Sequence, residues 1–141
     1  MKNQKGITLI ALVITIIVLL ILAGISIAMI TGSDGIITRS RQAKADNEIG
    51  AAKDMVTLIA TEALAQYFED TYVTSDTTAA YSGTALQTAM VTAIQGATNK
   101  VLPVVLTSAT NGVTLTYNER TTTGTVDTDG KLTWVAITDA E

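Results

Sequence analysis

Residues 2–24, KNQKGITLIALVITIIVLLILAG, decide how the rest of the chain is read. A short basic leader carrying Lys2 and Lys5 passes through Gly6 into an unbroken apolar run. No charged residue occurs from Ile7 to Ile30, and only Thr8, Thr15, Gly24 and Ser26 interrupt it. About 24 residues of helix span roughly 36 Å, enough to cross a hydrocarbon core of about 30 Å. A single segment in lipid must satisfy its own backbone hydrogen bonds, so it is expected to be helical.

Two other readings use the same residues. A buried core helix would need a domain able to cover it on every side, and a chain of 141 residues is too short for that. A secretory signal would use Ser26 and Ala28 as its small-residue cleavage site and release a chain starting at Met29. The apolar run, however, is far longer than the roughly 7–15 residues of such a signal. Basic residues stand on both sides of the run, with Lys2 and Lys5 before it and Arg39, Arg41 and Lys44 after it. Charge alone therefore does not orient it. The shortness of the leader favours the N-terminus inside. Gly24, Ala28 and Gly32 recur four apart and form a small-residue stripe that would let another helix approach closely.

Length and composition narrow the rest. The chain holds one small domain beyond the apolar arm and has a formal net charge of -4. It contains no Cys and no His, which excludes disulfides, soft-metal centres and His-dependent triads. Up to Lys53 the charges are mainly basic. Beyond it, Lys100, Arg120 and Lys131 face a larger number of Asp and Glu residues. The distal part is acidic, so direct nucleic-acid binding is not expected of it.

Lys5-Gly6 followed by Ile7-Thr8-Leu9-Ile10 and a long aliphatic helix resembles the N-terminus of type IV pilins and the related pseudopilins. The resemblance covers about the first thirty residues. It implies cleavage by a membrane peptidase between Gly6 and Ile7, and methylation of the new Ile7 terminus. It also implies that the helix is stored in the membrane and later packs in a filament core. There Leu9, Leu12, Ile16, Leu19, Leu20, Ala23, Gly24 and Ala28 would make the helix contacts. The partners so implied are further copies of the chain, the membrane, the prepilin peptidase and the assembly machinery. Most members of the family have a Glu five positions after the cut, and this chain has Ala11 there. No carboxylate occurs between Ile7 and Ser33. Some minor pilins share that gap.

Thr31-Gly32-Ser33-Asp34-Gly35 is a breaker cluster, with Gly32 and Gly35 as the expected helix break and Ser33 or Asp34 as the next cap. Ile36, Ile37, Ala43, Ile49, Ala52, Val56, Ile59, Ala63 and Tyr67 then recur at near-helical spacing, giving an amphipathic helix to about Phe68. The basic group Arg39, Arg41 and Lys44 suits anionic headgroups, a neighbouring copy's acids, or a solvated face with Lys44 paired to Glu48. EDTYVTSDTTAAYSG reads as a loop. GTALQTAMVTAIQGA reads as a short helix with Gly96 at its end. From Lys100 the period changes. VLPVVLT, GVTLTYNER and TGTVDTDGKLTWVAIT predict four short strands, with hairpin signals at Asn111-Gly112 and Asp129-Gly130.

Few residues suggest chemistry. Asp127-Thr-Asp129-Gly130 matches only the start of a calcium loop and is explained equally by a tight turn. Glu69-Asp70 reads as a solvated helix end. The aromatic residues look scattered along the sequence. No phosphate loop and no nucleophile–base pair can be picked out, so an enzyme, a metal and a cofactor are not expected.

The expected fold is α+β: a long N-terminal helical spine, kinked near Gly32, with a small C-terminal antiparallel sheet packed on its distal half. The expected divisions are a leader (1–6), a membrane or filament-core helix (7–31), an amphipathic continuation (32–70) and a globular head (71–141). The function these imply is a structural subunit of an extracellular pilus-like filament, made as a single-pass membrane precursor. A pseudopilin or minor pilin of a secretion or DNA-uptake apparatus is the second reading. A tethered surface binding module that never polymerises is the third.

Overall fold

The computed structural model describes residues 4–32, 34–73 and 81–140. It contains a long helical N-terminal section followed by a small antiparallel sheet, the α+β layout expected. The chain divides into two compact units, Met1–Arg41 and Gln42–Glu141.

The first unit holds helix α1, Gln4–Thr31, and the opening of helix α2, which runs over Ile36–Tyr72. No Pro or charge interrupts α1 between Ile7 and Thr31. Its polar side chains turn back onto the backbone. Thr15, Ser26 and Thr31 donate to the carbonyls of Leu12, Leu22 and Ile27 at 2.7, 2.8 and 2.9 Å. Such back-bonding satisfies hydroxyls without water. Between the helices, Gly35 N donates to Gly32 O at 2.8 Å, and Gly35 O accepts from Arg39 N at 3.0 Å. A Cβ on Gly35 would lie 2.5 Å from the Ile30 carbonyl oxygen, so only glycine fits this close return. Of the two expected caps, Ser33 lies outside the described residues. Asp34 lies in the turn before Gly35, and α2 begins at Ile36.

In the second unit, α2 buries Ala45, Ile49, Ala52, Val56, Ile59 and Ala60. The expected stripe is corrected at both ends. Ile36, Ile37 and Ala43 are not buried, because the core begins only at Ala45, and the helix continues past Phe68 to Tyr72. The loop expected after it falls largely on residues 74–80, outside those described. Helix α3, Gly83–Gln95, starts at Ser82, whose hydroxyl accepts from Ala85 N, and buries Leu86, Met90 and Ile94. Gly96 ends it, but in right-handed rather than left-handed backbone, and a short 3-10 turn over Thr98–Lys100 follows.

Among the described residues the sheet has five strands where four were expected. They are β1 Val105–Ala109, β2 Gly112–Tyr117, β3 Arg120–Val126, β4 Leu132–Trp134 and β5 Thr138–Asp139. The order is β1-β2-β3-β4, all antiparallel, and β5 pairs with the start of β3. Leu106, Val113, Leu115 and Val126 point into one core shared with α2 and α3. The opposite face is rich in Thr. Thr114 lies across from Thr123 and Thr116 from Thr121, with their hydroxyls 3.1 and 3.2 Å apart. β-branched polar residues suit a wet sheet face.

GVTLTYNER is not one strand. Asn118 and Glu119 both take positive φ (46° and 64°) and form a two-residue hairpin that brings Arg120 opposite Tyr117. Asn111 (φ 54°) turns the first hairpin, and Gly112 opens β2.

Candidate functional site

The residues singled out for processing and packing all lie on α1. Ile7, Leu9, Leu12, Ile16, Leu19 and Leu20 expose 49–67 % of their surface, and Ala23, Gly24 and Ala28 are exposed as well. Among the described residues none buries the most apolar stretch, and the helix is long and apolar enough to cross a membrane. Each square ångström of such surface left in water costs about 25 cal/mol, so this helix is stable only among lipid tails or other apolar helices. A Cβ at Gly6 would meet nothing within 4 Å. The packing of the chain therefore does not require a glycine there. Ala11 offers a methyl group where a carboxylate would be needed to pair with an amine.

Charged residues in the head are used to hold the fold. Arg120 Nε and Nη2 donate to Asp46 Oδ1 and Oδ2 at 2.8 and 3.3 Å, and Nη1 donates to Asp139 Oδ1 at 2.7 Å. The hydrogen bond to Asp46, then that to Asp139, holds the guanidinium above its ordinary pKa. This fork ties α2 to β3 and to the terminal strand β5. Nearby, Trp134 Nε1 donates to Thr57 Oγ1 at 3.3 Å, and Lys53 Nζ sits 5.4 Å from the centre of the indole ring. Trp134 also covers Gly124, where a Cβ would lie 2.7 Å from the ring.

The acidic turn is structural too. Asp127 Oδ1 accepts from Asp129 N at 3.0 Å and from Lys131 N at 2.8 Å, and Gly130 takes φ 78°. One carboxylate oxygen is thus engaged in closing the turn. Among the described residues no group of three His, Cys, Asp or Glu is placed to hold a metal ion. The suggested Lys44–Glu48 pair does not form. Arg39, Arg41 and Lys44 are exposed, and among the described residues the two ion pairs, to Asp46 and Asp139, both belong to Arg120.

The aromatic residues are not scattered, which corrects the sequence reading. Four of the six meet at the end of α2. Phe68 is stacked between Tyr72 (6.0 Å, 19°) and Tyr81 (6.3 Å, 10°), and Tyr67 meets it edge-on at 5.9 Å. The Tyr67 hydroxyl accepts from Ser82 N at 3.2 Å and lies 3.1 Å from Ser82 O. Tyr81 donates to Thr128 O at 3.0 Å. Tyr67, Phe68 and Tyr72 share one helix end, a signal visible in the sequence. Tyr81 follows residues 74–80 in the chain and could not be placed from spacing.

Residues 1–27 match a family model described as the prokaryotic N-terminal methylation motif. That motif is the hallmark of type IV pilin and pseudopilin precursors. It covers Gly6, Ile7 and most of α1, the apolar helix described above. No curated protein and no solved structure matches the chain.

Proposed function

We propose that the chain is a structural subunit of an extracellular type IV pilus-like filament, stored in the membrane and polymerised through α1. The observation that carries this reading is the coincidence of the methylation motif with an exposed helix long and apolar enough to cross a membrane. Lipid tails and aliphatic side chains are similar surroundings, so α1 can leave the bilayer for a bundle of its own copies with little change in hydrophobic free energy. Passage through water would cost about 0.8 kcal/mol for each exposed methylene. The membrane peptidase acts between Gly6 and Ile7, and the acidic heads form the outer surface. Ala11 favours a second reading, a minor pilin or a pseudopilin of a short secretion or uptake assembly.

Intact-mass measurement on protein from membranes and from sheared surface material tests the proposal. The expected species lacks residues 1–6 and carries one methyl group on Ile7. Gly6→Val, which leaves α1 room to form, is expected to block that cut. A chain still starting at Met1, or one starting at Met29, would sink the reading. Electron microscopy of the sheared material separates long fibres from short assemblies.

A further inference from the structure

We infer that the aromatic, acidic end of α2 docks the basic stretch of a second copy, formed by Arg39, Arg41 and Lys44. This rests on the polymer reading above and names the surfaces that set its register. The receiving side is the stack of Tyr72, Phe68 and Tyr81, which expose 61, 38 and 45 % of their surface. Hydroxyl bonds to Ser82 and Thr128 hold Tyr67 and Tyr81 in place, so little side-chain freedom remains to be lost on binding. Carboxylates flank the stack from two elements. Glu69 adjoins Phe68 on α2. Asp127 and Asp129 bracket Thr128, in a turn whose one basic residue is Lys131. Ring faces edged by carboxylates suit guanidinium and ammonium groups, through cation–π attraction and ion pairing together.

The complementary group is on the same chain. Arg39, Arg41 and Lys44 are exposed, and their side chains have no acidic partner among the described residues. Lys44 cannot reach the stack of its own copy. Both lie on α2, and the 24 residues from Lys44 to Phe68 span about 36 Å of helix. A second copy displaced by about that length along α2 brings the two together. Because the paired surfaces differ, the contact is heterologous. It propagates head to tail instead of closing as a dimer. The apolar arms supply most of the attraction, and this contact selects stagger and direction.

The chain has no Cys, so paired cysteines read this contact directly. Full-length Lys44→Cys/Tyr72→Cys protein in cell membranes, treated with a short bismaleimide, is expected to give a ladder of covalent multimers. Co-expressed Lys44→Cys and Tyr72→Cys single variants are expected to stop at dimers. The exposed control pair Met55→Cys/Tyr72→Cys is expected to stay monomeric. A ladder from the control pair as strong as from the test pair would overturn the assignment. So would a Lys44→Cys thiol captured by maleimide-headgroup lipid with no ladder, which would assign the basic stretch to the membrane. Processed, filament-forming chains without the ladder would overturn the docking and leave the polymer reading standing. Unprocessed, solitary chains would sink both.

Discussion

Gly112 has no room for a methyl group. A Cβ there would fall on the Gly124 carbonyl oxygen of the paired strand, with the Gly124 carbonyl carbon 2.9 Å away. Both obstacles are backbone in the middle of the sheet, so neither can swing aside. Gly50 is the opposite case, a glycine inside α2 whose Cβ would meet nothing within 4 Å. Gly112→Ala is expected to destabilise the head by about 1–3 kcal/mol. Gly50→Ala is expected to stabilise it by up to about 1 kcal/mol, because alanine restricts the unfolded chain and favours helix. Thermal melts of the two variants, followed by circular dichroism, are expected to move in opposite directions from the parent. Equal midpoints would refute the close approach at Gly112. Tyr81 belongs to the same scale. Nothing in its sequence neighbours shows that it stacks on Phe68, since the contact depends on how the chain returns from beyond residue 80.

At the scale of elements, α1 and α2 are both helices for different reasons. α1 is apolar all round and is helical because its backbone must bond to itself wherever water is absent. α2 is mixed in polarity, and one stripe of small and branched residues, from Ala45 to Ala60, fastens it to the head. A charge on α1 therefore has nowhere to go. Leu19 sits near the middle of the run with 65 % of its surface exposed. Leu19→Asp is expected to cost about 2.5–3.5 kcal/mol in the membrane and more in a helix bundle, where no partner is at hand. Membrane fractionation and electron microscopy are expected to show depleted protein and no fibres, whereas Leu19→Met behaves as the parent. Normal fibres from the Asp variant would contradict the filament-core role. The pattern of α1 was legible in one pass, because an unbroken apolar run leaves a single conformational solution. The hairpin at Asn118-Glu119 was not, since neither residue is glycine and the adjoining residues read as one strand.

For the molecule as a whole, the head carries its own core. Every residue of the buried cluster lies between Ile49 and Val126, and α1 contributes none of them. The Arg120 fork, the Trp134 contacts and the sheet also lie within Gln42–Glu141. A fragment of residues 42–141 is expected to be soluble and to unfold in a single cooperative transition. Size-exclusion chromatography and a thermal melt check this. A fragment that precipitates or melts without cooperativity would show that the head needs its arm. The separation matters for the proposed function, because a subunit that moved its arm from lipid to filament would have to keep its head folded throughout.

The amino-acid sequence alone determined that this chain has a lipid-compatible helix behind a short basic stretch and glycine, and that short strands follow. Both properties are local, set by polarity and period along consecutive residues. Only the tertiary structure decided which carboxylates hold Arg120 and which glycines lie under neighbouring backbone. It also decided that Tyr67, Phe68, Tyr72 and Tyr81 form one surface. Those are relations between distant segments, and they exist only once the shared core has fixed where each segment lies.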